Sequence, residues 1–286
     1  MRIVQISDVH FTHSCFNPLR LCSKRFLGLV NWLLFRKPTF ESKSLKELPD
    51  LWKSLSVDMV LVGGDLTTTA LPSEFEEARQ YFNRCSQPTL FIPGNHDHYT
   101  RGAYRKRRFY NEFTNRGALE GFSLTKEGVE VHRMAPGWWC IALDTARPTS
   151  LLSSNGYFTP KVEQYLLAAL SLIPKSDRVL LLNHFPFFQN DFPHHRMIRG
   201  ERLREILENH PNIFLYLHGH THRHTIADLQ SSSLPLVLDS GCPVQKHRGS
   251  WNLIDLTNSG CTVQPYRWNE DRWSKGEKQE IQWTRL

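Results

Sequence analysis

Five apolar runs, each stopping at a cluster of Asp, His, Asn and Gly, constrain this 286-residue chain more than any bulk property. Ile3–Ile6 leads into Asp8-Val9-His10, and Met59–Val62 into Gly63-Gly64-Asp65. Thr89–Ile92 leads into Pro93-Gly94-Asn95-His96-Asp97, Val179–Leu182 into His184, and Ile213–Leu217 into Gly219-His220-Thr221-His222. Short Val/Ile/Leu runs without period-two alternation are strands buried on both faces, and such strands carry ligands on the loops at their C-terminal ends. The pattern places all five signatures on one rim of a sheet.

Helical stretches alternate with these strands, which makes the chain α/β. Ser73 to Cys85 carries Phe75, Ala78 and Phe82 at helical spacing, and Pro160 to Leu172 follows a Thr159 cap with a first-turn proline. Gly200 to His210 is a third helix, and Leu236–Leu238, Trp251–Leu256 and Cys261–Arg267 form a β-rich C-terminal part. Nothing reads as a repeat or a linker, so a single domain over residues 1–286 is expected. Two stretches depart from the alternation: the connection from Phe11 to Leu55, long for a βα unit, and an irregular region from Arg101 to about Arg133. Lying beside the polar signatures, both are expected to form cap or substrate-covering elements.

Composition narrows the class of protein. With 40% hydrophobic and 22% charged residues the chain is neither fibrous nor disordered. Its net charge of +7 favours an anionic partner without distinguishing a nucleotide from nucleic acid or an acidic membrane. The cysteines show no C-x-x-C pair, and the N-terminus carries no signal-peptide pattern, so a reduced, cytoplasmic protein is expected. The longest apolar stretch, Phe26 to Phe35, is about half the ~20 residues of a spanning helix.

The polar signatures together make a donor set. Asp8 and His10 stand two apart after a strand, and Asp65 adds a carboxylate able to bridge two ions. Asn95 offers an amide oxygen, and His184, His220 and His222 offer imidazoles. Oxygen and nitrogen donors without thiolate suit Mn²⁺, Fe or Zn²⁺ in a catalytic role. Two divalent cations about 3.5–4 Å apart acidify a shared water and clamp the oxygens of a phosphoryl group. His96 is the candidate general acid, with Asp97 next to it to orient the imidazole. His218 is read as shaping its turn, His98 as either a substrate contact or a solvated loop residue, and His194-His195 as surface.

In this order the motifs Asp-x-His, Gly-Asp, Gly-Asn-His-Asp, His and Gly-His-x-His resemble those of the calcineurin-like metallophosphoesterases, from Asp8 to His222 with no ligand position substituted. The resemblance implies a four-layer αββα sandwich of two mixed β-sheets flanked by helices. It also implies that Asp8, His10, Asp65 and His222 hold a first metal, and that Asp65, Asn95, His184 and His220 hold a second. Two divalent ions, Mn²⁺ first among them, are the implied cofactors. A nucleic-acid or membrane binding module that keeps an inactive metal site is the alternative outside the enzymes; a catalytically dead homologue typically loses a ligand position, and none is missing here.

Substrate choice is read from the two departures. Lys24-Arg25 and Arg36-Lys37 bracket an apolar run containing Trp32, which suits either a core-packing helix or contact with an anionic membrane or an acyl chain. Arg101, Arg105, Arg107 and Arg108, interleaved with Tyr99, Tyr104, Phe109 and Tyr110, suit a phosphate-bearing substrate, single-stranded nucleic acid being less favoured, or else a solvated helix face. Within the family, Lys24-Arg25-Phe26-Leu27-Gly28 to Asn31-Trp32 resembles the enzymes that hydrolyse UDP-2,3-diacylglucosamine in lipid A biosynthesis, peripherally on the inner membrane. A related class performing that step carries Arg where this chain has His96, so the likeness is to the variant keeping histidine. A cyclic-nucleotide phosphodiesterase or a nuclease is the alternative within the family.

Overall fold

The structure is a computed structural model that describes residues 1–13, 39–150, 153–189, 192–269 and 271–284. Trp32 and the whole run from Lys24 to Lys37 lie outside the described residues, as do all of residues 14–38 in the expected cap over 11–55.

The strands are β1 (Arg2–Ile6), β2 (Met59–Val62), β3 (Thr89–Phe91), β4 (Val129–Ala135), β5 (Trp138–Leu143), β6 (Gly156–Tyr157), β7 (Arg178–Leu182) and β8 (Met197–Ile198). They continue as β9 (Ile213–His218), β10 (His224–Asp228), β11 (Leu236–Ser240), β12 (Ser250–Leu256), β13 (Gly260–Asn269), β14 (Arg272–Lys275) and β15 (Gln279–Gln282). One sheet runs β14-β13-β12-β1-β2-β3, with β15 also on β13; β1, β2 and β3 are parallel and β12 returns antiparallel beside β1. The other runs β10-β11-β9-β7-β5-β4, parallel from β11 through β5 with antiparallel strands at both edges. Both sheets are mixed. A minor pair, β6 with β8, stands apart from them.

The side-chain alternation along each strand builds four layers. Ile3, Leu61, Leu180, Leu182, Leu215 and Leu217 point into one core that the two sheets share. Val4, Ile6, Val60 and Val62 point the other way, against Trp52, Phe75, Ala78 and Phe109 of the helices Leu48–Ser54, Pro72–Phe82 and Arg108–Glu112. Val179, Leu181 and Ile213 pack outward on Leu166, Leu170, Leu203 and Leu207 of the helices Pro160–Leu172 and Gly200–Asn209. Every strand at the centre is therefore apolar on both faces, which is why its sequence shows no alternation. Buried at the sheet–sheet interface, Gln5 donates from Nε2 to the His218 and Leu238 carbonyls and accepts from Asn252 Nδ2, tying β1 to the opposite sheet.

Three expectations change. The signatures occupy the rims of two stacked sheets rather than one. Asp8, His10, Asp65 and Asn95 follow β1, β2 and β3, whereas His184, His220 and His222 follow β7 and β9. Residues 39–55 do not run as an irregular excursion: Phe40 bridges Gln245, and the helix Leu48–Ser54 buries Leu48 and Trp52 in the outer layer. Within 101–133 stand two five-residue helices, Arg101–Arg105 and Arg108–Glu112, and the start of the edge strand β4. Helices that short carry no periodic signal to read. Among the described residues no helix is long and apolar enough to cross a membrane, and Cys85, Cys140, Cys242 and Cys261 are free thiols.

Candidate metal centre

The loops after β1 and β2 are zipped together by backbone hydrogen bonds: Asp8 N to Gly64 O at 2.9 Å, His10 N to Asp65 O at 3.0 Å and Phe11 N to Leu66 O at 2.8 Å. The chain takes an unusual conformation at the site. Asp8, His10, Asp65, His220 and His222 all have positive φ, between +45° and +70°. Non-glycine residues rarely adopt that region, and strain of this kind concentrates where geometry serves function. Glycine is required beside them: a Cβ on Gly94 would stand 2.1 Å from Asp65 Oδ1, and one on Gly219 would stand 2.4 Å from Asp8 Oδ2.

One ligand atom from each of Asp8, His10, Asp65 and His222 lies within 4.8 Å of the others. His10 Nε2 is 3.0 Å from His222 Nε2 and 3.7 Å from Asp8 Oδ1, and His222 Nε2 is 3.1 Å from the same carboxylate oxygen. Asp65 Oδ2 stands 3.9 Å from His10 Nε2 on one side and 3.5 Å from His184 Nε2 on the other. Beyond it, His184 Nε2 is 3.3 Å from Asn95 Oδ1, and the His184 and His220 rings are 5.2 Å apart. Convergent carboxylate, amide and imidazole donors of this kind fit a hard or borderline divalent cation. The residues present match that chemistry: Asp8 and Asp65 are buried carboxylates with no lysine or arginine against them in any ion pair among the described residues.

The imidazoles are aimed by backbone carbonyls. His184 Nδ1 donates to Gly63 O at 2.7 Å and His96 Nδ1 to Thr68 O at 2.6 Å, which turns each Nε2 toward the site. His220 donates from Nε2 to His195 O at 3.0 Å, leaving Nδ1 as its ligand nitrogen. Its backbone N–H donates to Asp8 Oδ2 at 3.0 Å, as His96 N does to Asp65 Oδ1 at 2.8 Å, so both carboxylates are held from behind.

Electrostatics agree with this layout. Burial alone would raise the Asp65 and Asp8 carboxyls, but the surrounding histidines, His184 for Asp65 and His222 for Asp8 foremost, hold both below the usual carboxylate range. Burial opposes charge on His184 as well, yet Asp65 and Asp8 hold it up to about 9. His220 is pushed down to about 3 by burial and by His184, so it is neutral, whereas His184 carries the charge that a bound cation would displace.

Asp97 does a different job from the one its place in the sequence suggested. Among the described residues it makes no hydrogen bond to the His96 ring, whose Nδ1 is taken by Thr68 O. Its carboxylate accepts from Gly94 N, Leu66 N, Thr67 N and Thr67 Oγ1 at 2.9–3.2 Å, stapling the Gly-Asn-His-Asp loop to the one carrying Asp65. Burial and the nearby Asp65 push Asp97 up to about 7. The basic cluster after His96 is divided. Arg101, Arg105 and Arg107 are exposed, whereas Arg108 donates to the Ala70 carbonyl at 2.7 Å and so has a structural role. His98 is buried beside Tyr110 and Asp144 and is not a solvated loop residue. His218 is buried with Nδ1 3.0 Å from Gly219 O, within its turn. His194 is exposed, while the His195 carbonyl serves His220.

Sequence reading missed Asp239. Buried, and held well above the usual carboxylate range by that burial, it accepts from Thr221 Oγ1 at 2.5 Å and Gly241 N at 2.8 Å, and so shapes the turn between His220 and His222. The signal was present: Val237-Leu238-Asp239-Ser240-Gly241 is another apolar run ending in polar and glycine residues. The aiming carbonyls of Gly63, Thr68 and His195 have no side-chain signal to find.

Comparison with known proteins agrees. Residues 1–224 match the family described as Calcineurin-like phosphoesterase. A 3′,5′-cyclic-nucleotide phosphodiesterase of Nostoc is 24% identical over 81% of this chain and 77% of its own length. A dimetal phosphatase from Danio rerio has the same fold, with a TM-score of 0.70 at 17% identity and 99% of each chain covered. A purple acid phosphatase from yellow lupin superposes with a TM-score of 0.65 at 10% identity, over 98% of this chain and 53% of its own.

Proposed function

Because the chain belongs to the calcineurin-like phosphoesterase family and is a metal-dependent phosphoester hydrolase, we propose that it works with two divalent cations on a nucleotide-linked phosphoryl substrate. The observation that carries the count of two is the Asp65 carboxylate, whose Oδ2 lies 3.9 Å from His10 Nε2 and 3.5 Å from His184 Nε2. It would be shared between a site formed by Asp8, His10 and His222 and one formed by Asn95, His184 and His220. When bound, such a pair of ions, Mn²⁺ first and Fe or Zn²⁺ next, activates water and neutralises phosphoryl oxygens.

The chain's own residues supply the rest. His96, held through Nδ1 by Thr68 O and only half-buried, presents Nε2 as the proton donor to the leaving oxygen. Tyr99 stacks on it with ring centres 5.5 Å apart and fixes the ring plane.

The substrate favoured by the sequence is UDP-2,3-diacylglucosamine, cleaved at its pyrophosphate to UMP and 2,3-diacylglucosamine 1-phosphate on the inner membrane surface. What supports it is the segment from Lys24 to Trp32, with the exposed Arg101, Arg105 and Arg107 as further phosphate contacts. The name of the Nostoc relative favours a second substrate, a 3′,5′-cyclic nucleotide. Mass spectrometry of products after incubation with Mn²⁺ and each compound separates the two. UMP plus the lipid 1-phosphate is the expected result; turnover of the cyclic nucleotide alone would replace the first reading by the second. Replacing the basic and aromatic residues between Lys24 and Lys37 should raise KM for the lipid and spare a small soluble phosphodiester. Equal effects on both would make the segment structural.

A further inference from the structure

Of the four clustered residues Asp8, His10, Asp65 and His222, it is His222 that reaches the surface. The His222 side chain is 17% exposed, against 0% for Asp8 and His10 and 2% for Asp65. At that point lies a cleft of about 410 Å³ lined by His222, Arg223, His247, Arg248, Arg267 and Trp268, with no carboxylate in its lining. Its volume is within the ordinary range for a small-molecule site.

The arginines come from three separate parts of the chain. Arg223 follows the Gly-His-Thr-His turn, Arg248 stands on the exposed loop before β12, and Arg267 is on β13. Arg267 is built in. Its Nη2 donates to His224 Nδ1 at 2.8 Å, His224 Nε2 donates to Asn252 Oδ1 at 2.7 Å, and Asn252 Nδ2 donates to Gln5 Oε1 at 3.0 Å. That chain of neutral groups orients the guanidinium without cancelling its charge, since no carboxylate pairs with Arg267 or Arg248 among the described residues. One guanidinium donor is spent on His224, and the others have no protein acceptor among the described residues. Those remaining donors reach solvent in the cleft, where an anion can accept from them. The loop bearing Arg248 is held in turn by Thr39–Glu41, through Lys246 N to Thr39 O at 2.8 Å and Glu41 N to Val244 O at 2.6 Å.

We propose that the Arg223–Arg248–Arg267 cleft binds a second anionic group of the substrate, one phosphoryl removed from the phosphorus that is attacked. The inference rests on the hydrolase reading above and deepens it. A pyrophosphate-linked substrate has such a group, and a cyclic nucleotide has none. Arg forks match phosphate oxygens two at a time, so a phosphate seated there fixes which of the two phosphorus atoms faces the metal ligands.

The test compares a nucleoside-diphosphate ester with bis(p-nitrophenyl) phosphate, which has a single phosphoryl group, in the Mn²⁺-loaded full chain. Arg248→Ala, on an exposed loop and so safe for folding, should lower the ratio of kcat/KM for the diphosphate ester over the simple diester about tenfold, with the loss in KM. A charge-assisted hydrogen bond is worth roughly that much. Arg267→Ala should lower the ratio at least as far, and Arg267→Lys should recover part of it. A ratio unchanged in Arg248→Ala and Arg267→Lys, or a wild-type protein that turns over only compounds with one phosphoryl group, overturns the cleft while leaving the hydrolase reading intact. A wild-type protein that cleaves neither compound overturns the hydrolase reading itself.

Discussion

Asp65 carries two duties at once. Its Oδ2 faces histidines on both sides while Oδ1 is held by the His96 amide at 2.8 Å. Asp65→Ala should therefore lose more than a substitution at the edge of the cluster. We expect turnover to fall by roughly 10²-fold or more, with loss of bound metal and an intact fold. His222→Ala should lower activity in the same direction through the Asp8–His10 half. Metal content and circular dichroism measured beside activity check both. Undiminished turnover in either variant would sink the ligand assignment. The identity of these side chains was legible in the sequence, because each follows an apolar run directly. Their conformation was not: Asp8, His10 and Asp65 take positive φ where their loops, more than fifty residues apart, pair through the backbone, and His220 and His222 take it in a separate turn.

Elements position the site through their ends. The strands β1, β2, β3, β7 and β9 all stop where polar residues begin, and the loops between them are stapled rather than packed. Asp97 is the staple, with three backbone N–H groups and one hydroxyl on a buried carboxylate. Asp97→Ala would strand those donors, at a cost of about 1–3 kcal/mol for such a buried group. A fall in Tm of several degrees is expected, together with weaker metal binding, while His96 stays on Thr68 O. Differential scanning calorimetry with and without Mn²⁺ measures it; an unchanged Tm would remove Asp97 from this role. The sequence suggested the wrong partner for Asp97 because adjacency along a chain is not adjacency in a turn. The helix Pro160–Leu172, by contrast, was read to its ends: the Thr159 cap accepts from Val162 N at 3.1 Å, and cap, proline and apolar stripe are all local signals.

At the scale of the molecule, the ligands come from both sheets. Asp8, His10, Asp65 and Asn95 belong to one and His184, His220 and His222 to the other, so a metal held by them would cross-link the two layers at their common rim. Chelation with EDTA should abolish hydrolysis and lower Tm by several degrees, and Mn²⁺ should restore both, since a ligand bound only by the folded state stabilises it. A Tm indifferent to chelation would show that the shared apolar core alone holds the sheets together.

The donor set, the five central strands and the hydrolytic class follow from local patterns, because burial on both faces and the need for polar groups at strand ends are written residue by residue. Strand order and the stacking of two sheets do not follow from those patterns. Nor do the carbonyls that aim the imidazoles, the true partners of Asp97, or the meeting of Arg223, Arg248 and Arg267 beside His222. Each of these depends on contacts between residues distant in the chain, whose pairing is set by the register of the sheets and the packing of the core they share.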